Sequence, residues 1–171
     1  MEQESRKAQS QSNIGRFAAN LFKLVLIGVL AAFLVLVYGR ADAKDADIAE
    51  INAALQEQTE ITSLQECSAR DLLQFLGIDA NNYDSFLYYK SGEALGVEEV
   101  LILKARNKDE LPAARNAVQD RIDSQIRAYE GYGPEQVKML GSAVVILRGS
   151  FLFYCTAPDT EPYEEVFRNA V

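Results

Sequence analysis

An uncharged apolar run extends from Leu24 to Tyr38, and Phe17, Leu21 and Phe22 carry it toward the N-terminus. Taken from Phe17 to Tyr38, interrupted by Asn20 and Lys23, the block would rise roughly 33 Å as a helix, enough to cross a hydrocarbon core. Lys23 lies near one end, where its ammonium can reach the headgroups, and Phe17, Phe22 and Tyr38 fall near the two expected boundaries.

After this block the periodicity changes. Ile48, Ile51 and Leu55 recur at helical spacing and predict a helix from Asp47 to Leu55. That helix either continues from the membrane as a stalk or packs back on the domain. Ser68-Ala-Arg-Asp71 has the form of a capping box with Asp in the Glu position, opening a short helix through Leu72, Leu73, Phe75 and Leu76 that Gly77 stops. Tyr83–Tyr89 and Glu98–Ala105 read as strands. In the second of these, Val100 and Ile102 share one face while Leu101 and Leu103 share the other, so it is expected to be covered on both sides.

A long helix follows Asn107-Lys-Asp-Glu110, with Pro112 near its first position and Leu111, Ala114, Val118, Ile122, Ile126 and Tyr129 down one face. Asp120, Arg121, Asp123 and Arg127 take much of the remainder. Gly131-Tyr-Gly-Pro134 breaks it, and Glu135–Leu140 forms one or two further turns. Ala143–Leu147 and Phe151–Cys155, joined through Gly149-Ser150, read as a hairpin with a type II′ turn. Tyr163–Val171 closes the chain as a short helix.

The expected fold class is therefore α+β. A transmembrane helix precedes an α-α-β-β-α-β-β-α domain with an antiparallel sheet packed on the long amphipathic helix. The corresponding division is a basic cytoplasmic tail (1–16), the membrane helix (17–39), a juxtamembrane helical stalk (40–62) and an extracytoplasmic domain (63–171).

Charge sets the orientation. Arg6, Lys7, Arg16 and Lys23 precede or open the span, whereas Arg40 and Lys44 on the other side are diluted by Asp42, Asp45, Asp47 and Glu50. The positive-inside rule keeps the N-terminus in the cytoplasm and exports the rest. Ala41-Asp42-Ala43 also has the small-x-small form read by signal peptidase, so the alternative is a secreted product cut at Ala43. Past Arg40 there are 12 Lys and Arg against 23 Asp and Glu, a balance of −11. Such a surface argues against nucleic acid as a partner.

The chain has no histidine. Histidine-based triads are therefore excluded, and no C-x-x-C, phosphate loop or EF-hand loop is present. Cys67 and Cys155, both on the exported side, are either a disulfide pair or two small buried hydrophobes. The adjacent acids Glu98/Glu99 and Glu164/Glu165 are expected on a solvated surface, because neighbouring side chains diverge on strands and helices alike. The Asp42/Asp45/Asp47 cluster lacks the glycine and terminal acid of a calcium loop. No catalytic residue, cofactor or metal site is expected.

Tyrosines are the best remaining lead. Tyr88, Tyr129 and Tyr132 are the candidate binding surface, the last two flanking the break after the long helix. The leading expectation is an interaction module whose partner is another envelope protein or a second copy, tethered to the bilayer through Phe17–Tyr38. The alternative is a module that binds a small ligand or glycan on the tyrosine-rich surface.

Three motifs carry a family resemblance: Leu72-Leu-Gln-Phe-Leu-Gly-Ile78, the strand Glu99-Val-Leu-Ile-Leu103 with the helix after it, and Tyr132-Gly-Pro-Glu-Gln-Val-Lys-Met-Leu140 with the apolar hairpin that follows. Through them the stretch from Leu64 to Thr156 resembles a family of domains without assigned activity in Firmicutes, mostly clostridial. Its members look like small envelope proteins carrying an N-terminal membrane helix or a lipoprotein signal. The resemblance implies fold and location, and carries no catalytic residue across.

Overall fold

The computed structural model describes residues 23, 26–30 and 44–171. Two compact units divide near residue 42. In the first, residues 26–30 are helical, and Leu26, Ile27, Val29 and Leu30 are each more than half exposed. The rest of the expected span, the tail 1–16 and the Ala41-Asp42-Ala43 motif lie outside the described residues. Among the described residues, no helix is long and apolar enough to cross a membrane.

The second unit is a mixed α+β domain built on one five-stranded antiparallel sheet. Its elements are α1 (Ile48–Gln58), β1 (Gln65–Glu66), α2 (Ala69–Leu76), β2 (Ser85–Lys90), β3 (Glu99–Lys104), α3 (Leu111–Tyr129), α4 (Pro134–Gly141), β4 (Val144–Arg148), β5 (Phe151–Thr156) and α5 (Glu161–Ala170). The strand order is β1-β2-β3-β5-β4.

Local signals explain the boundaries. Both halves of the Ser68/Asp71 capping box form, and Gly77 ends α2 in the left-handed region at φ 68°. Asn107 caps a 3-10 turn that runs into α3, with Pro112 in the first turn of the helix. Arg148 pairs with Phe151 across a two-residue turn, and Gly149 has φ 58°. No described non-glycine residue has positive φ, so Ser150 is not left-handed, as a type II′ turn requires.

Strand alternation sends side chains to two cores. Tyr88, Leu101, Leu103, Leu152 and Tyr154 pack with α2, α3 and α4. Leu87, Tyr89, Val100, Ile102, Phe151, Phe153 and Cys155 pack with α1 and α5. Helices therefore cover both faces, as the apolar residues on both sides of β3 led us to expect, with α1 and α5 forming the layer opposite the long helix. On the second face Phe153 stacks on Phe167 of α5 at 4.9 Å between ring centroids and 15° between planes.

On two points the structure selects between readings that the sequence leaves open. The stalk foreseen over residues 40–62 contains a layer of the domain, because Ile48, Ile51 and Leu55 bury against the sheet and α5. The Lys44 amide also donates to the Val171 carbonyl, and Lys104 binds Asp45 at 2.7 Å and the Ala46 carbonyl. The candidate disulfide does not form. Cys67 and Cys155 are free buried thiols in separate cores on opposite faces of the sheet.

Candidate functional site

A polar cluster interrupts the apolar face under α3. Glu99 opens β3 on the same face as Leu101 and Leu103, and it is only 2% exposed. An isolated carboxylate there would be costly, so it must be paired. Arg121 of α3 supplies the pair, its Nη2 donating to Glu99 Oε1 at 2.6 Å and its Nε at 3.3 Å. The other carboxylate oxygen accepts from the Tyr154 hydroxyl at 3.2 Å. Burial works against the Arg121 charge, but the bond to Glu99 and its negative charge outweigh that and raise the guanidinium above its ordinary value. Burial and the same carboxylate push the Tyr154 hydroxyl well up, so it stays a donor.

Phe75 of α2 closes one side. Its ring lies 5.5 Å from the Arg121 guanidinium and 5.0 Å from the Lys90 ammonium. Lys90 also donates to the Ser91 carbonyl at 3.1 Å. The loop from Ser91 to Glu98 folds back through the Ser91 amide donating to the Glu98 carbonyl at 2.8 Å. Gly96 sits so close to Ser91 that a Cβ there would collide with the serine hydroxyl.

Between this loop and α3 opens a cleft of about 290 Å³, bordered by Lys90, Glu98, Glu99, Arg121, Gln125 and Tyr129 among others. Gln125 is 8% exposed, and its Oε1 is buried without a hydrogen-bond partner. Glu98 Oε2 is likewise buried and unpartnered. Tyr88 stands behind this wall, almost wholly buried, with its hydroxyl unbonded. Burial first, and the Glu99 charge second, raise its pKa. Native proteins rarely leave such atoms unsatisfied, and each costs about 1–3 kcal/mol. A larger cleft of about 490 Å³ between Glu57–Glu60 and Tyr163 has no such atom in its walls.

The three tyrosines separate. Tyr129 lines the cleft, and Tyr132 leans on it with ring centroids 5.5 Å apart and is 65% exposed. Tyr88 belongs to the core and to no surface. Glu98 and Glu99 are not the solvated pair expected from their adjacency. Both border the cleft, and Glu99 is locked. Glu164 bonds Arg168 at 2.6 Å on α5. Asp45 is held by Lys104, Asp47 caps α1, and Asp42 lies outside the described residues. Among the described residues no group of three acidic, cysteine or histidine side chains could hold a metal ion.

Residues 57–157, or 101 of the chain's 171, match the model of the family described as Domain of unknown function (DUF4358), and the chain belongs to that family. No curated protein and no solved structure matches it.

Proposed function

We propose that this DUF4358 member is a membrane-anchored, extracytoplasmic binding domain of the bacterial cell envelope that holds a small polar ligand between Glu98, Gln125 and Tyr129 and does not transform it. The observation that carries this is that Glu98 and Gln125, each with a buried and unpartnered side-chain oxygen, both line this cleft, Glu98 lining a neighbouring one as well. A ligand that satisfies them recovers their desolvation cost on binding. Catalysis by paired carboxylates is not part of this reading, because both oxygens of Glu99 are engaged by Arg121 and Tyr154.

The location is supported by the apolar block Phe17–Tyr38, the basic residues before it and the resemblance to Firmicutes envelope domains. Exposed helical Leu26, Ile27, Val29 and Leu30 suit contact with lipid. Protease added to intact cells should remove a tag placed after Val171 and spare one placed before Met1. Protection of the C-terminal tag would overturn the topology.

An interaction module is the second reading, favoured by β4. It is a sheet edge whose Val144, Val145 and Ile146 are only partly buried and whose Leu147 is 40% exposed. Cross-linked capture from intact cells, with the membrane helix alone as control, tests it. A discrete partner, or a second copy, recovered only by the full chain would support it over ligand binding.

A further inference from the structure

We infer that the outer edge of β4 is completed by the β4 strand of a second copy of this chain, the two strands running antiparallel about a two-fold axis at Ile146. This deepens the second reading above, in which β4 serves an interaction, and rests on it. It is independent of the ligand cleft.

Arg148 and Phe151 close a two-residue turn and so form a hydrogen-bonded pair, and alternation makes Ile146 and Val144 bond β5 in the same way. The backbone N–H and C=O of Val145 and Leu147 then point away from β5. Among the described residues no strand pairs with that side, whereas the opposite edge of the sheet, along β2, is partly closed by β1. The usual safeguards of an edge are missing from β4. Its register is unbroken, it has no proline or lysine, and Arg148 at its end is its only charge. Its side chains are apolar toward both faces, Val144 and Ile146 on that of Phe153 and Val145 on that of Tyr154. Yet these three are half-buried and Leu147 is 40% exposed, while β5 beside them is buried throughout.

A second copy answers this edge in pattern and in charge. An antiparallel pair centred on Ile146 sets Val145 opposite Leu147 of the second copy, twice over. Those are the residues whose backbone groups point outward, so each pair can exchange two N–H···O bonds. A slip of one residue would instead oppose them to residues already bonded to β5.

Charge follows the same symmetry. Helix α5 begins at Glu161, a few residues after β5 ends at Thr156, so its acidic first turn, with Glu161 and Glu164, lies toward the Val144 end of β4. Its last turn lies at the other end, where Arg148 Nη1 donates to the Arg168 carbonyl at 2.8 Å. Glu164 holds Arg168 within the helix, which leaves Glu161 at one end and Arg148 at the other without an ion-pair partner among the described residues. Antiparallel pairing sets each basic end against the acidic end of the other copy, and parallel pairing would set like against like. With a balance of −11 beyond Arg40 two copies repel at long range, and this approach opposes that repulsion locally.

The test is disulfide trapping in intact cells on the full chain carrying Ile146→Cys. On the axis the two residues form a non-hydrogen-bonded pair, with Cα atoms about 4.5 Å apart, within disulfide reach. Oxidation with copper phenanthroline should give a covalent homodimer. Val144→Cys, four residues out of register with itself, should give none, and the unaltered chain, whose own thiols are buried, sets the background. Sedimentation equilibrium of the unaltered chain in micelles should show a dimer that Leu147→Lys weakens at least about tenfold. A dimer indifferent to Leu147→Lys, or equal trapping at Val144 and Ile146, would overturn the pairing. Benzophenone maleimide attached at Ile146→Cys keeps the two levels apart. Photocrosslinking to a different protein alone would overturn the second copy while leaving β4 an interaction edge. A monomer with no adduct of any kind at Ile146 would overturn both.

Discussion

Arg121 reaches from the middle of α3 to Glu99 at the start of β3, closing a 2.6 Å ion pair on the sheet face that carries Tyr88, Leu101, Leu103, Leu152 and Tyr154. Glu99 is 2% exposed, so its charge depends on this one cation and on the Tyr154 hydroxyl. Buried pairs of this kind add little net stability over apolar substitutes, yet removing one partner strands the other.

Arg121→Met should therefore cost about 3–5 kcal/mol of unfolding free energy. The double change Arg121→Met with Glu99→Gln should recover most of it, since the stranded charge is gone. Chemical denaturation of the three variants checks this. Equal losses in the single and the double variant would show that the pair is not coupled.

Burial lifts the Cys67 thiol to about 11 and the Cys155 thiol to about 12, from an ordinary 9.0. Asp71 and then other neighbouring charges modify the first, while Asp159 and Glu164 add to the second. The folded chain thus keeps protons that the unfolded chain releases above pH 9, and the associated stability is complete below pH 9. It falls as pH rises through 11 to 12. The raised hydroxyls of Tyr88 and Tyr154 extend the loss in the same direction. Denaturation midpoints should drop between pH 9 and 11, and Cys155→Val should flatten that slope. At pH 8 a thiol reagent should label neither cysteine until the chain unfolds, and reductant should leave the melting temperature unchanged.

Phe167 joins α5 to the sheet by stacking on Phe153 and meeting Phe151 edge-on at 6.5 Å. It has no exposed surface. Phe167→Ala should cost about 3–5 kcal/mol by transfer and cavity terms together. Hydrogen exchange should then quicken first in α5 and in α1, which packs beside it in the same core.

Much of this fold was legible in the chain. The capping box at Ser68, the stop at Gly77, both hairpins, the helix through Leu111 and Tyr129 and its break at Gly131–Pro134 all sit where local signals put them. Those signals are short-range and chemical. The two-residue strand Gln65–Glu66 was missed because it is too short to show a period and exists only by pairing with β2. Placement of α1 on the sheet was left open, since an amphipathic helix shows that a face is buried but not against what.

The site was legible only in part. Alternation along Glu99–Lys104 puts Glu99 on the face of Leu101 and Leu103, and a strand apolar on both faces has no solvated side to offer it. The same stripe of α3 that carries Ala114 and Val118 also carries Arg121 and Gln125, at spacings of seven and eleven from Ala114. Together these could have located the pair. Nothing in the order of residues could show that Glu98 and Gln125 keep unpartnered oxygens, because that depends on how the Ser91–Glu98 loop meets α3.

Thermal denaturation of the full chain carrying Gln125→Met, without added ligand, tests most directly whether the cleft is kept for binding rather than for folding. If the buried amide awaits a ligand, exchanging it for a thioether of similar length removes an unsatisfied group and should raise stability by about 1 kcal/mol. A clear fall in melting temperature would mean that Gln125 supports the fold itself, and would contradict the account of the cleft as a ligand site.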